Sequence, residues 1–505
     1  MLGENHYAVE ITERARGRRT KVFRQSATTT VRGGHGLITF ITYGRTVPPI
    51  VDEAALIKDA KPAPPDATEQ RTLCARPVFS GANLREPPPA QRMLNLPAAW
   101  HFSRGAGQKV AIIDTGVTRH PRLPNLQPGG DHVSNSDGTS DCDSHGTLVA
   151  GIVAAQPSTD DAFSGVAPDA TILSIRQLSL AYERKDEPGA TTTTGYGSVR
   201  TLAPAVVRAV NLGATVINIA EVACAPGGTD LSDAALGAAV KYAYDRNVVV
   251  VAAAGNVESG SNCRTQNHNP DVSVPGWSTV QTVVSPDWFV PYVLSVASVA
   301  PDGSPSHFSL NGPWVGVAAP GEGIVSLDST PGGRGLVNRE QTYNGVSPIN
   351  GTSFASAYVA GLAALVRSRF PTLTAREVID RITRTTHATG SGRDERVGSG
   401  LIDPLAALTT QLPNRPVDAG ANGVQTPAPP VGSQTPAPPV GSQNPLPRWV
   451  AIIGVLTCLV VLLIAIARTW VGIRRRWLPP RTPSRFVGGW PRRTRSGSNP
   501  TSPYR

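Results

Sequence analysis

Four short stretches carry residue types that together could run acyl transfer. Asp114 ends the apolar run Val110-Ala111-Ile112-Ile113 and is followed by Thr115-Gly116. His145 sits in Asp143-Ser144-His145-Gly146-Thr147, Asn256 in Ala253-Ala254-Gly255-Asn256, and Ser353 in Asn350-Gly351-Thr352-Ser353-Phe354-Ala355-Ser356. Acyl transfer to a hydroxyl needs a nucleophile, a base for its proton, a group that fixes the base's tautomer, and donors for the oxyanion. Serine, imidazole, carboxylate and amide supply these in turn. Taken singly, each has an ordinary structural explanation: Ser is a common helix cap, and Asp and Asn both favour turns. The chemical reading rests on all four occurring together at the ends of successive elements.

Those elements can be read from the pattern of apolar residues. Residues 355–366 are apolar or small on every side, which marks a helix in the centre of a large domain, with Ser353 in its first turn. Its N-terminus favours negative charge beside the hydroxyl. Upstream, strands are expected at 109–113, 170–175, 215–220 and 248–253, and helices at 145–155, 199–212 and 234–245. Strands that alternate with helices predict an α/β domain with a central parallel sheet covered on both faces. In such sheets the reactive groups collect at the carboxyl ends of the strands.

The domain so defined runs over 99–412, and different segments flank it. Residues 1–46 are basic, and their one apolar run, 37–43, is at the lower limit for a signal-peptide core, which suggests a degraded or misassigned export signal. Residues 47–98 hold too many prolines for a core of their own and are expected to lie as an extended arm over the domain. A linker at 413–448 repeats Gln-Thr-Pro-Ala-Pro-Pro-Val-Gly-Ser twice, a semi-rigid spacer. The uncharged run 449–467 is long enough for a single transmembrane helix. The tail 468–505 carries ten Arg and no acid, so it is expected in the cytoplasm with the large domain outside.

Charge narrows the function further. The net charge of +10 lies wholly in that tail, because the preceding residues balance at 37 basic against 37 acidic, so no nucleic-acid partner is expected. Cys74, Cys142, Cys224 and Cys263 form an even set without metal-ligand spacing, which favours two disulfides in an oxidising compartment with three pairings open. Asp131, Asp137, Asp141 and Asp143 lack the spacing of a calcium loop and are read as a solvated loop, so no metal or cofactor is expected.

The order Asp, His, Ser, with Gly165-Val166-Ala167-Pro168 and Val317-Ala318-Ala319-Pro320-Gly321, resembles the subtilisin-type serine proteases over about 99–410. The resemblance implies a three-layer fold in which Asp114 orients His145, His145 is the base, Ser353 attacks, and Asn256 binds the oxyanion. Thr68-Glu69-Gln70-Arg71, Ser140-Asp141-Cys142-Asp143 and Gly276-Trp277, with an anchor near the C-terminus, resemble the mycosins more closely. These are membrane-anchored subtilases associated with type VII secretion. That resemblance implies a protein or peptide substrate and a place beside the secretion membrane complex, either as a protease or as a structural component. The layout it implies puts Cys224 and Cys263 beyond the carboxyl ends of neighbouring strands, so they pair with each other and Cys74 pairs with Cys142. One departure bears on substrate choice: after the strand 215–220 comes Glu221-Val222, where the broad family has Ser-Leu-Gly lining the first substrate pocket. A carboxylate there would favour a basic substrate side chain or point to solvent.

Overall fold

The computed structural model describes residues 26–412, apart from 34–35, 44–45, 59–60, 81–84, 187–194, 259–260, 270–275, 343–344 and 389–391. The spacer, the apolar run at 449–467 and the basic tail lie outside the described residues. Among the described residues no helix is long and apolar enough to cross a membrane.

Seven strands form one sheet: β1 (Lys109–Asp114), β2 (Leu126–Asp131), β3 (Thr171–Arg176), β4 (Val216–Ile219), β5 (Val249–Ala253), β6 (Val293–Val299) and β7 (Val315–Pro320). Their order is β7-β6-β5-β4-β1-β3-β2 and every pairing is parallel. Successive side chains of a strand face opposite sides, so a sheet covered on both faces needs apolar residues throughout. In β1, Val110 and Ile112 join one core, and Ala111 and Ile113 join the other. The first core is closed by α1 (His145–Ala154), α4 (Thr352–Arg369) and α5 (Ala375–Arg384), the second by α2 (Val199–Asn211) and α3 (Ala234–Asp245). This is the three-layer arrangement expected from the sequence.

Helix α4 is buried continuously from Thr352 to Val366. Its small residues let it lie directly against neighbouring backbone; a Cβ on Gly361 would stand 2.5 Å from the Cβ of Val166. The order of the strands reverses beside β1: on one side the chain lays down the edge strand β2 and then β3 inside it, and on the other it builds outward from β4 to β7. Such a switch point opens a crevice at the carboxyl ends of the strands.

Three strands of the sheet were not expected. β2 contains Pro128, Gly129 and Gly130, which read as a loop; as an edge strand it tolerates the proline, and its register shifts there. β6 and β7 were likewise unassigned. The run 37–43, read as a remnant export signal, lies in the second strand of an antiparallel hairpin, Ser26–Gly33 with Gly36–Tyr43. The proline-rich arm forms a short strand, Thr68–Gln70, on Tyr182–Arg184, and Val78 bridges to Arg339. Cys74 is bonded to Cys142, and Cys224 to Cys263. The first bond fastens the arm three residues from His145.

Candidate active site

Asp114 is the last residue of β1 and is fully buried. Its Oδ1 accepts from the Thr115 N–H at 2.6 Å, which fixes the carboxylate plane. Nδ1 of His145, the first residue of α1, lies 2.8 and 3.0 Å from its two oxygens. A carboxylate in this position holds the imidazole in the tautomer that carries its proton on Nδ1 and leaves Nε2 free to accept.

The strand end and helix start are locked together by a buried network around Asp141. Its Oδ1 accepts from Thr115 Oγ1 at 2.9 Å, and its Oδ2 accepts from the N–H and hydroxyl of Thr147 at 2.8 and 2.6 Å. Thr115 Oγ1 in turn accepts from the Gly146 N–H at 2.9 Å. A Cβ on Gly146 would lie 2.0 Å from the Gly116 carbonyl oxygen, so the close approach of the two turns requires glycine there. Ser144 precedes the helix at φ 70°, a left-handed conformation that is strained for a residue with a side chain. Ser329 Oγ donates to its hydroxyl at 2.7 Å and helps to hold it.

This corrects the reading of the acidic cluster as a solvated loop. Asp131 and Asp141 are buried. Asp131 accepts from the N–H groups of Val133 and Ser134, and Asp143 from those of Leu180 and Ala181. Only Asp137 of the four is exposed, turned onto Thr139. Donors from the surrounding fold occupy the other three, because a buried carboxylate must be satisfied wherever water is excluded.

Ser353 is the second residue of α4 and is 7% exposed. Its Oγ donates to the Ala220 carbonyl oxygen, just past β4, at 2.8 Å. Phe354, next in the chain, has its ring centroid 5.2 Å from that of His145, so the helix start stands beside the imidazole. Asn256 follows β5. Its Oδ1 accepts from the N–H and hydroxyl of Thr352 at 3.0 and 2.9 Å, leaving Nδ2 toward Gly351. That orientation aims the amide's donors at the turn carrying Ser353, where the first N–H groups of α4 also have no partner within the helix.

Glu221 is partly exposed and borders the Asp114–His145 pair. Its Oε1 is 3.7 Å from His145 Nδ1, and it lines a cleft of about 340 Å³ with Tyr196, Leu178 and Val222. Burial opposes a charge on His145, but the Asp114 carboxylate and its hydrogen bond, with Glu221 and Asp141, outweigh it and hold the imidazole up at about 10. Burial likewise pushes Glu221 up, to about 7, against the pull of His145. Asp114, His145 and Glu221 have donor atoms within 4.8 Å of one another and are the one such set of potential metal ligands among the described residues. The bonds between Asp114 and His145 already engage two of the three.

The structure thus brings Asp114, His145, Ser353, Asn256 and Glu221 to one edge of the sheet, with Cys74 and Cys142 beside it. Sequence reasoning missed Thr115, Asp141, Thr352 and the Ala220 carbonyl. The two threonines were visible inside the Asp-Thr-Gly and Gly-Thr-Ser stretches, each next to a reactive residue.

A parallel sheet with an Asp–His pair and a helix-start serine at its carboxyl edge defines a subtilisin-like serine peptidase, and the model of the Subtilase family matches residues 105–400. Mycosin-1 of Mycolicibacterium smegmatis is 47% identical over 395 residues, 76% of this chain and 86% of the relative. The crystal structure of MycP1 from Mycobacterium smegmatis superposes with a TM-score of 0.69 at 46% identity, over 75% of this chain and all of that one. A chain of an intact ESX-5 inner membrane complex superposes with a TM-score of 0.68 at 40% identity, over 84% of this chain and 99% of that one. The chain belongs to the subtilase family and, within it, to the mycosins. It is a serine-type endopeptidase.

Proposed function

We propose that the chain is a membrane-anchored endopeptidase in which Ser353 is the nucleophile, His145 the general base and then acid, Asp114 its orienting partner, and Asn256 an oxyanion donor. The observation that carries this is the two-oxygen hold of Asp114 on His145 Nδ1 beside the start of α4. For reaction, Ser353 Oγ rotates from the Ala220 carbonyl to the imidazole, an adjustment of the kind that substrate binding commonly completes. The hydroxyl attacks the scissile carbonyl, its proton passes to His145 Nε2, and the oxyanion meets Asn256 Nδ2 and the Ser353 N–H. His145 then protonates the departing amine, leaving an acyl-serine. Water repeats the sequence, giving its proton to His145 and its oxygen to the acyl group, and Ser353 is restored.

The expected result for Ser353→Ala is a loss of turnover of about 10⁶ with the fold intact. Peptide hydrolysis and circular dichroism measure the two, and unchanged turnover would end the assignment. Labelling of the protein with a fluorophosphonate, followed by peptide mapping, should place the adduct on Ser353.

The cellular setting is a type VII secretion membrane complex. Support comes from the likeness to a chain of the ESX-5 inner membrane complex, from the uncharged run at 449–467 and from the arginines that follow it. This arrangement keeps the protease domain on the extracytoplasmic side, where disulfides persist. The same likeness favours a second role, as a structural component of the complex independent of proteolysis. Recovery of the complex from cells carrying Ser353→Ala separates them: intact complex assigns assembly to the fold, and lost complex assigns it to cleavage.

A further inference from the structure

Two carboxylates act on His145 where the reaction needs one. Asp114 occupies the face of the imidazole that bears Nδ1, and Glu221 Oε1 stands 3.7 Å from the same nitrogen with its side chain 40% exposed to the cleft. Among the described residues, the other charges named as acting on the pair are acidic. Asp141, in the loop before α1, and Glu340, on the strand Arg339–Thr342, act on the imidazole through their charge; Asp143 and Glu258 act on Glu221. The base must be neutral to accept a proton from Ser353, yet every one of these groups favours its charged form. A second carboxylate beside the general base therefore restrains turnover unless something offsets it.

The cleft indicates what can offset it. Glu221 lies two residues beyond β4, on the wall shared with Val222 and Ala223, and faces Gln177, Leu178 and Tyr196 across the open volume. A substrate side chain entering there meets a carboxylate whose partner is the catalytic imidazole. We propose that Glu221 selects substrates with an arginine or lysine side chain in this cleft, and that the bound cation speeds turnover by drawing the carboxylate's charge away from His145. This deepens the assignment of His145 as general base and rests on it. A neutral side chain leaves Glu221 on the imidazole. A cation pairs with Glu221, adds its own positive field and frees the base at a lower pH. Substrate charge is thereby read in the chemical step as well as in binding.

The test uses the full-length protein in detergent and internally quenched peptides in which arginine or its neutral isostere citrulline occupies each position flanking the cleaved bond in turn. At one position arginine should raise kcat/KM about tenfold over citrulline in the wild type, the effect of one opposite charge at this range. The acid limb of kcat, which reports the enzyme–substrate complex, should lie about one pH unit lower for that arginine peptide. The acid limb of kcat/KM reports the free enzyme and should be the same for both peptides. In Glu221→Gln the free-enzyme limb should fall by about one unit and the arginine preference should vanish. Glu221→Asp, which keeps the charge one methylene further back, should show intermediate values.

Hydrolysis that depends on Ser353 but does not distinguish arginine from citrulline at any position overturns this proposal and leaves the protease assignment standing. An arginine preference confined to KM, or one that survives in Glu221→Gln, overturns it as well. Absence of Ser353-dependent hydrolysis for every peptide overturns both.

Discussion

The two halves of the site are built from different materials. The half that prepares the base is ionic: Asp114, Asp141 and Glu221 all act on one imidazole, and buried hydrogen bonds from Thr115, Thr147 and Gly146 hold the carboxylates and turns in place. The half that presents the nucleophile is neutral. Ser353 stands on a helix buried for fifteen residues, and Asn256 is oriented by the N–H and hydroxyl of Thr352. Electrostatics therefore set when the base works, whereas packing and neutral hydrogen bonds set where the hydroxyl and the oxyanion donors lie. Substitutions in the first half should move the pH profile, and those in the second should change the rate without moving it.

The largest effect that separates the halves is expected for Asp114→Asn. The amide can present its NH2 to Nδ1 and stabilise the wrong tautomer, so kcat should fall by about 10⁴. The imidazole, held at about 10 mainly against burial by this carboxylate, loses its chief support. Because the neutral form is the active one, the acid limb of kcat/KM should move to lower pH even as the maximum collapses. Rate against pH from 5 to 11 measures both, and an unmoved limb would show that Asp114 acts through orientation only.

Asn256→Ala should lower kcat by about 10² to 10³, as loss of one oxyanion donor does. No titrating group is touched, so the acid limb should stay in place and KM should change little. A shifted limb would mean that the neutral half is coupled to the base, and the contrast between the halves would fail.

The same contrast explains what the sequence disclosed. β1 was legible because both of its faces are buried, giving an unbroken apolar run, and α4 because small residues on all sides allow few other placements. Helices α1, α2 and α3 lay within a residue or so of their expected bounds, since their apolar runs are local features and α2 adds a capping box from Ser198 and Thr201. β2 was hidden by Pro128-Gly129-Gly130, a turn composition that an edge strand can nevertheless accept. The sequence suggests a solvated Asp141 because an aspartate's neighbours in the chain do not reveal its donors, which here come from Thr115 across the turn as well as from Thr147. Glu221 was visible as a departure from the family pattern, but its distance from His145 depends on how β4 and β1 pair, and local composition does not carry that. The hydrogen bond of Ser353 to Ala220 is a rotamer choice, and a buried helix start permits more than one.

The smallest expected effect lies at Thr352, which has no titrating group and no contact with a substrate's reacting atoms assigned to it. Its hydroxyl donates to Asn256 Oδ1 at 2.9 Å and accepts from the Gly255 N–H at 3.2 Å, joining the end of β5 to the start of α4. Thr352→Val keeps the shape and the backbone N–H bond to Asn256 but removes both of these. Losing a buried hydrogen bond while leaving its partners unsatisfied costs about 1 to 3 kcal/mol, so the denaturation midpoint should fall. The amide, now held by one bond, spends part of its time misdirected, and kcat should drop about tenfold with KM and the acid limb unmoved, within the range that loss of alignment can produce. If Thr352 acts by aiming Asn256, the two substitutions cannot be additive: with Asn256→Ala already present, Thr352→Val should leave kcat unchanged while still lowering stability. A full tenfold loss in the Asn256→Ala background would mean that Thr352 instead positions Ser353, and the aim of the oxyanion amide would then rest on the backbone alone.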